Sequence, residues 1–167
     1  MSLISIWRVE KAIFARQVRQ GDGARLYGGR WNSPGRAAIY CGGSLSLTFL
    51  EILAHVETEE DAGEKRVLFR VELDEQAVET IDLASLPKKW RSALDTAACR
   101  KLGDAWLARA SSVALKVPSA IVPIEHNFIL NPDHPDFTRA LRWSRAKPFQ
   151  LDPRLMQNID PASGLSV

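Results

Sequence analysis

With 167 residues, 46% of them apolar and 25% charged, the chain suits one domain that can build a sizeable core without metals or disulfides. Cys41 and Cys99 match no metal spacing, the opening MSLISIWRVEKAIF breaks its apolar residues with Arg8, Glu10 and Lys11, and no apolar run nears the roughly 20 residues needed to cross a bilayer, so a reducing, cytoplasmic setting without a membrane is expected. The net charge of +2 is far from that of a dedicated nucleic-acid binder but is unevenly laid out, with seven bases against two acids in 1–36, eleven acids against three bases in 51–82, and five bases against one acid in 139–154.

In chain order, Ile4 to Val9 mixes β-branched and aromatic residues and reads as a strand. Arg16 to Gly35 is rich in Gly and Arg and reads as an exposed loop. Ala37 to Cys41 reads as a buried strand ending at Gly42-Gly43. Ser44 is a suitable N-cap for a helix to Val56, along which Leu45, Phe49, Ile52, Leu53 and Val56 recur at helical spacing. RVLFRVEL, 66–73, alternates as a half-buried strand, and Val78 to Leu83 reads as another. Pro87 suits the first turn of a short helix to Leu94, and Ala97 to Ala110 a longer helix. Short strands are expected at Val113 to Val117, Ala120 to Pro123, Asn127 to Leu130 and Ala140 to Ser144, followed by a weakly patterned tail from about 153 to 167. The expectation is one α+β domain over 1–167, its core about 4–152, with an antiparallel or mixed sheet.

The chemistry concentrates in LYGGRWNSPGRAAIYCGGSLSLTFLEILAH, 26–55. On a wheel of about 100° per residue, Ser44, Thr48, Glu51 and His55 share a stripe about 60° wide on a helix otherwise mostly apolar. So narrow a face either lines a cleft, where a partly desolvated carboxylate can grip ligand hydroxyls or stabilise positive charge, or meets solvent with Glu51 and His55 paired at i, i+4. Arg30 follows Gly28-Gly29, which suits either close approach to a phosphate or a turn with a solvated arginine. Fifteen of the 22 basic residues are arginine, whose fork suits bidentate phosphate contacts, although a mixed-charge surface accounts for the composition equally well. Tyr40 either packs in the core or floors the same cleft, and Ser119 follows Pro118 where a hydroxyl can satisfy backbone. There is no G-x-S-x-G elbow, P-loop, H-E-x-x-H or G-x-G-x-x-G, and His126 and His134 lack a zinc context, so no metal is expected.

Taken with VPSAIVPIEHNFILNPDHPDF, 117–137, this stretch resembles the RES-domain family, named for its Arg, Glu and Ser, whose members are toxins of bacterial toxin–antitoxin pairs. The resemblance runs from Trp7-Arg8 to about Arg142. It implies an ADP-ribosyltransferase-like fold, NAD+ as the substrate consumed, and a Xre-type helix-turn-helix antitoxin that blocks the active-site cleft and supplies the only link to DNA. A homodimer within that complex is compatible with it. The residues matching the family are Arg30 for the NAD+ phosphates, Tyr40 by the nicotinamide, Glu51 for the charge that develops on the ribose, and Ser119 for the nicotinamide riboside end. Trp31, beside Arg30, and His55, one turn past Glu51, are the further ligand-contact candidates. Phosphate, water or a protein as acceptor all stay open, as does a non-catalytic module that captures a nucleotide phosphate while Glu51 is structural.

Overall fold

A computed structural model describes residues 2–156. Its strands and helices are β1 (Leu3–Lys11), α1 (Asp22–Tyr27), β2 (Ile39–Gly42), α2 (Leu45–Leu53), α3 (Glu59–Gly63), β3 (Arg66–Asp74), β4 (Val78–Thr80), α4 (Ala97–Arg109), β5 (Ala114–Pro118), β6 (His126–Leu130), α5 (Phe137–Ala140), β7 (Leu141–Trp143) and β8 (Lys147–Phe149). The strands form one sheet in the order β4-β5-β6-β2-β1-β3-β7, with β8 also on β3. Only β4–β5 is parallel; the other pairs are antiparallel. This is the expected α+β domain with a mixed sheet.

Alternation along the strands divides the core between the two faces. Ile39, Cys41, Phe128, Leu130 and Ala114 join Ile6, Val71 and Leu73 in one cluster. Ala38, Ile129, Leu115 and Val117 join Trp31, Trp90, Cys99 and Trp106 in the other, against which Tyr40 packs. Fully burying each of the large apolar side chains stabilises by roughly 1.5–3 kcal/mol. In α4 the second cluster depends on Gly103, where a Cβ would overlap the Trp31 carbonyl oxygen.

Several local expectations need correction. The loop expected at 16–35 contains α1, which ends where Gly28 takes φ 71° and returns its amide to the Ala24 carbonyl at 2.8 Å. The helix expected over 87–94 is a pair of turns, Trp90 N–H to Pro87 and Ser92 N–H to Lys89. Arg30 and the Cys99 thiol take the Trp90 carbonyl, and the Ser92 hydroxyl accepts the Leu94 amide, so the groups a helix would pair there are engaged elsewhere. The strand expected over 120–123 is a loop closed by Ser119, whose Oγ accepts the Ile121 and Val122 amides. The strand beginning at Val78 stops at Thr80, and Asp82 then caps a 3-10 turn at Leu83–Ser85. The short elements α3, α5 and β8 carry too little pattern to be read locally. Beyond Met156 the expected tail lies outside the described residues.

Candidate active site

Helix α2 starts as its sequence dictates, with the Ser44 hydroxyl accepting the Leu47 amide at 3.1 Å. Thr48 is buried against the sheet and donates back to the Ser44 carbonyl at 2.8 Å. Gly42 admits this approach, because a Cβ there would collide with the Thr48 hydroxyl. The narrow polar stripe therefore faces mainly the sheet, and only its middle reaches the candidate site. His55 lies beyond the end of α2, exposed, with Nδ1–H donating to the Glu51 backbone carbonyl at 2.7 Å rather than to the carboxylate. Leu50, 42% exposed, shows that the remainder of the helix is not wholly buried.

Glu51 is the point of convergence. Its Oε1 accepts the Ser119 hydroxyl at 3.0 Å and the Asn127 amide Nδ2 at 2.5 Å. Oε2 has no protein partner among the described residues. Ser119 is fully buried; its one hydroxyl proton goes to Glu51 and its oxygen accepts two backbone amides, so it acts on its surroundings through Glu51. Asn127 was not among the residues singled out from the sequence. The available signal is a polar residue beside His126 at the start of a strand whose other residues are apolar, and nothing local points it at Glu51.

Tyr40 lies on the same sheet face as Asn127, since β2 pairs Tyr40 with Ile129 and Gly42 with Asn127. Its hydroxyl donates to Asn32 Oδ1 at 2.7 Å and accepts the Trp31 amide at 3.0 Å. Burial pushes this phenol well above the ordinary tyrosine range, with the Trp31 amide and the Arg100 charge pulling less strongly the other way. Asn32, itself fully buried, donates to the Ala24, Ser33 and Arg36 carbonyls, so Tyr40 and Asn32 together hold the 28–36 loop in shape. Trp31 is buried at 3% exposure in the cluster behind that loop.

Arg30 projects from the loop onto the turns at 88–92, Nη1 donating to the Trp90 carbonyl at 2.6 Å and the Ser92 carbonyl at 2.9 Å. From the same turns Arg91 donates to the Ala120 carbonyl at 2.9 Å, next to Ser119. The 88–92 segment thus connects Arg30 to the Ser119 loop and so to Glu51. Of the expected residues, the fold joins Glu51 directly to Ser119, links Arg30 and Tyr40 to them through the loop and the sheet face, and leaves Trp31 in the core and His55 at the surface. Among the described residues no group of three His, Cys, Asp or Glu side chains is placed to hold a metal, and no helix is long and apolar enough to cross a membrane. A cavity of about 500 Å³ elsewhere, lined by Glu72, Asp74, His134 and Arg139 among others, contains none of the expected site residues.

The RES domain family model matches residues 5–152. "Toxin Res" of Yersinia enterocolitica is 37% identical over 90% of this chain and 98% of its own length. "Prs ADP-ribosylating toxin" of a Sphingobium species is 28% identical over 92% of this chain and 97% of its own. Among solved structures, the M. tuberculosis MbcT–MbcA toxin–antitoxin complex contains a chain that superposes with a TM-score of 0.73 at 21% identity, covering 95% of this chain and 89% of that one, a likeness of fold consistent with the ADP-ribosyltransferase-like class. The match across nearly the whole chain places this protein in the RES-domain family of toxins.

Proposed function

We propose that this protein is the toxin of a toxin–antitoxin pair and acts in the cytoplasm on NAD+, breaking the bond between nicotinamide and ribose. The observation that carries this reading is the Glu51 carboxylate, fixed through one oxygen by Ser119 and Asn127 while the other has no protein partner among the described residues. When the C1′–N bond breaks, its electron pair goes to the nicotinamide nitrogen and positive charge develops on the ribose. A preorganised carboxylate stabilises that charge in the transition state. Nicotinamide leaves neutral, so no general acid is required. The acceptor, water or inorganic phosphate, then bonds to C1′ and releases a proton. Arg30 holds the substrate's phosphates, and the Tyr40 ring floors the site beside the nicotinamide.

Transfer of ADP-ribose to a protein is the second reading, favoured by the name of the Sphingobium relative. The MbcT–MbcA complex supports an antitoxin partner; we take that partner to be of Xre type and to lie over the same site. The deciding experiment incubates the purified protein with NAD+ and measures nicotinamide, with and without phosphate, and repeats it in lysate with labelled NAD+ to detect modified protein. Glu51→Gln keeps shape and removes charge, so release should fall by about 10²-fold or more while NAD+ affinity changes only a few-fold. Turnover by Glu51→Gln equal to wild type would exclude the mechanism, and a wild type that releases no nicotinamide under any of these conditions would exclude the activity.

A further inference from the structure

Asn127 occupies an unusual place for a carboxamide. It stands on β6 directly across from Gly42, on the face otherwise built from Ile129, Leu115 and Val117. Its Nδ2 reaches Glu51 Oε1 at 2.5 Å, while its Oδ1 is buried without a hydrogen-bonding partner among the described residues. An apolar residue here would avoid that uncompensated desolvation, so stability alone does not account for an amide at this position. The bond it makes is informative as well. A lysine or arginine at 127 would neutralise Glu51 with an ion pair, whereas an amide orients the carboxylate and leaves its negative charge available. Being uncharged, it does so at every pH.

We infer that Asn127 is a positioning residue for the reaction: with Ser119 it pins Glu51 Oε1 and turns Oε2 toward the ribose carbon from which nicotinamide departs. The inference rests on the NAD+-cleavage reading and adds to it the group that orients the carboxylate. Gly42 serves the same end from the neighbouring strand, since its missing side chain lets α2 descend far enough for Glu51 to meet Asn127. Positioning acts on the transition state more than on the bound substrate, so loss of Asn127 should appear in kcat rather than KM.

The test uses the full-length chain with NAD+ as substrate and compares Asn127→Ala, Asn127→Asp, Glu51→Gln and the exchanged pair Glu51→Gln with Asn127→Asp, reading kcat, KM and thermal midpoint for each. Asn127→Ala should lower kcat by about 10- to 100-fold with KM changed less than about threefold. Asn127→Asp, nearest in shape, should be at least as poor a catalyst and should melt lower than Asn127→Ala, because two carboxylates then meet. The exchanged pair restores an amide–carboxylate contact and should regain the midpoint lost by Asn127→Asp, yet recover no turnover, since the charge sits on β6. A packing role would make aspartate the best-tolerated replacement and leave the exchange without effect, which overturns the inference. Should the wild type release no nicotinamide, the cleavage reading falls on its own, and the four midpoints still decide: additive losses from the two sites would discard the Asn127–Glu51 pairing as well.

Discussion

Replacing Tyr40 by phenylalanine removes a single oxygen, and the structure shows what that oxygen holds. It accepts the Trp31 amide and donates to Asn32 Oδ1, and Trp31 and Asn32 are both buried. Each buried group left without a partner costs about 1–3 kcal/mol, against which the more apolar ring regains a part, so the net loss should be about 2–4 kcal/mol. For a chain of this length about 1 kcal/mol moves the thermal midpoint by roughly 2–4 °C, so Tyr40→Phe should melt about 4–16 °C lower. The lesion is local to the 28–36 loop, which should loosen together with Arg30. Differential scanning calorimetry measures the midpoint, hydrogen exchange reports the Trp31 amide, and NAD+ turnover should show a raised KM. A midpoint within about 2 °C of wild type with the Trp31 amide still protected would show that the hydroxyl has no structural role.

Three further outcomes follow from the same structure. Burial pushes the Cys41 thiol up to about 12 and raises Tyr40 in the same direction; because the folded values lie above the unfolded ones, stability is fully present below the unfolded values and falls as pH rises past them. Urea titrations between about pH 9 and 11 should therefore show a loss of about 1.4 kcal/mol per pH unit for each group as its unfolded form deprotonates, with a flatter slope in Cys41→Ala. Gly103→Ala drives a methyl into the Trp31 carbonyl and should lower the midpoint by more than about 10 °C or abolish folding, as seen by circular dichroism. Arg30→Ala removes a guanidinium that binds the Trp90 and Ser92 carbonyls, so it should raise KM for NAD+ about tenfold and speed hydrogen exchange around 88–94, with Arg30→Lys recovering only part of either loss because a point charge replaces the fork.

What the sequence determined by itself is whatever short-range chemistry decides. Ser44 announces α2 through a bond that spans three residues, and RVLFRVEL carries its alternation within one strand. The resemblance of 26–55 and 117–137 to a known family likewise needed only residue order. Tertiary structure decided the meaning of groups whose partners are remote. Arg30 meets carbonyls about 60 residues away, and those bonds turn an expected helix over 87–94 into the turns that join Arg30 to the Ser119 loop. Asn127 and Glu51 are 76 residues apart and meet because β6 pairs with β2 and α2 folds back over Gly42. A hydrogen bond across that separation leaves no periodicity in either segment, so Asn127 reads locally as one polar residue at a strand's start. The physical reason is that caps and alternation are fixed by neighbours along the chain, whereas the orientation of a carboxylate is fixed by whichever strand and helix the whole fold brings to its side.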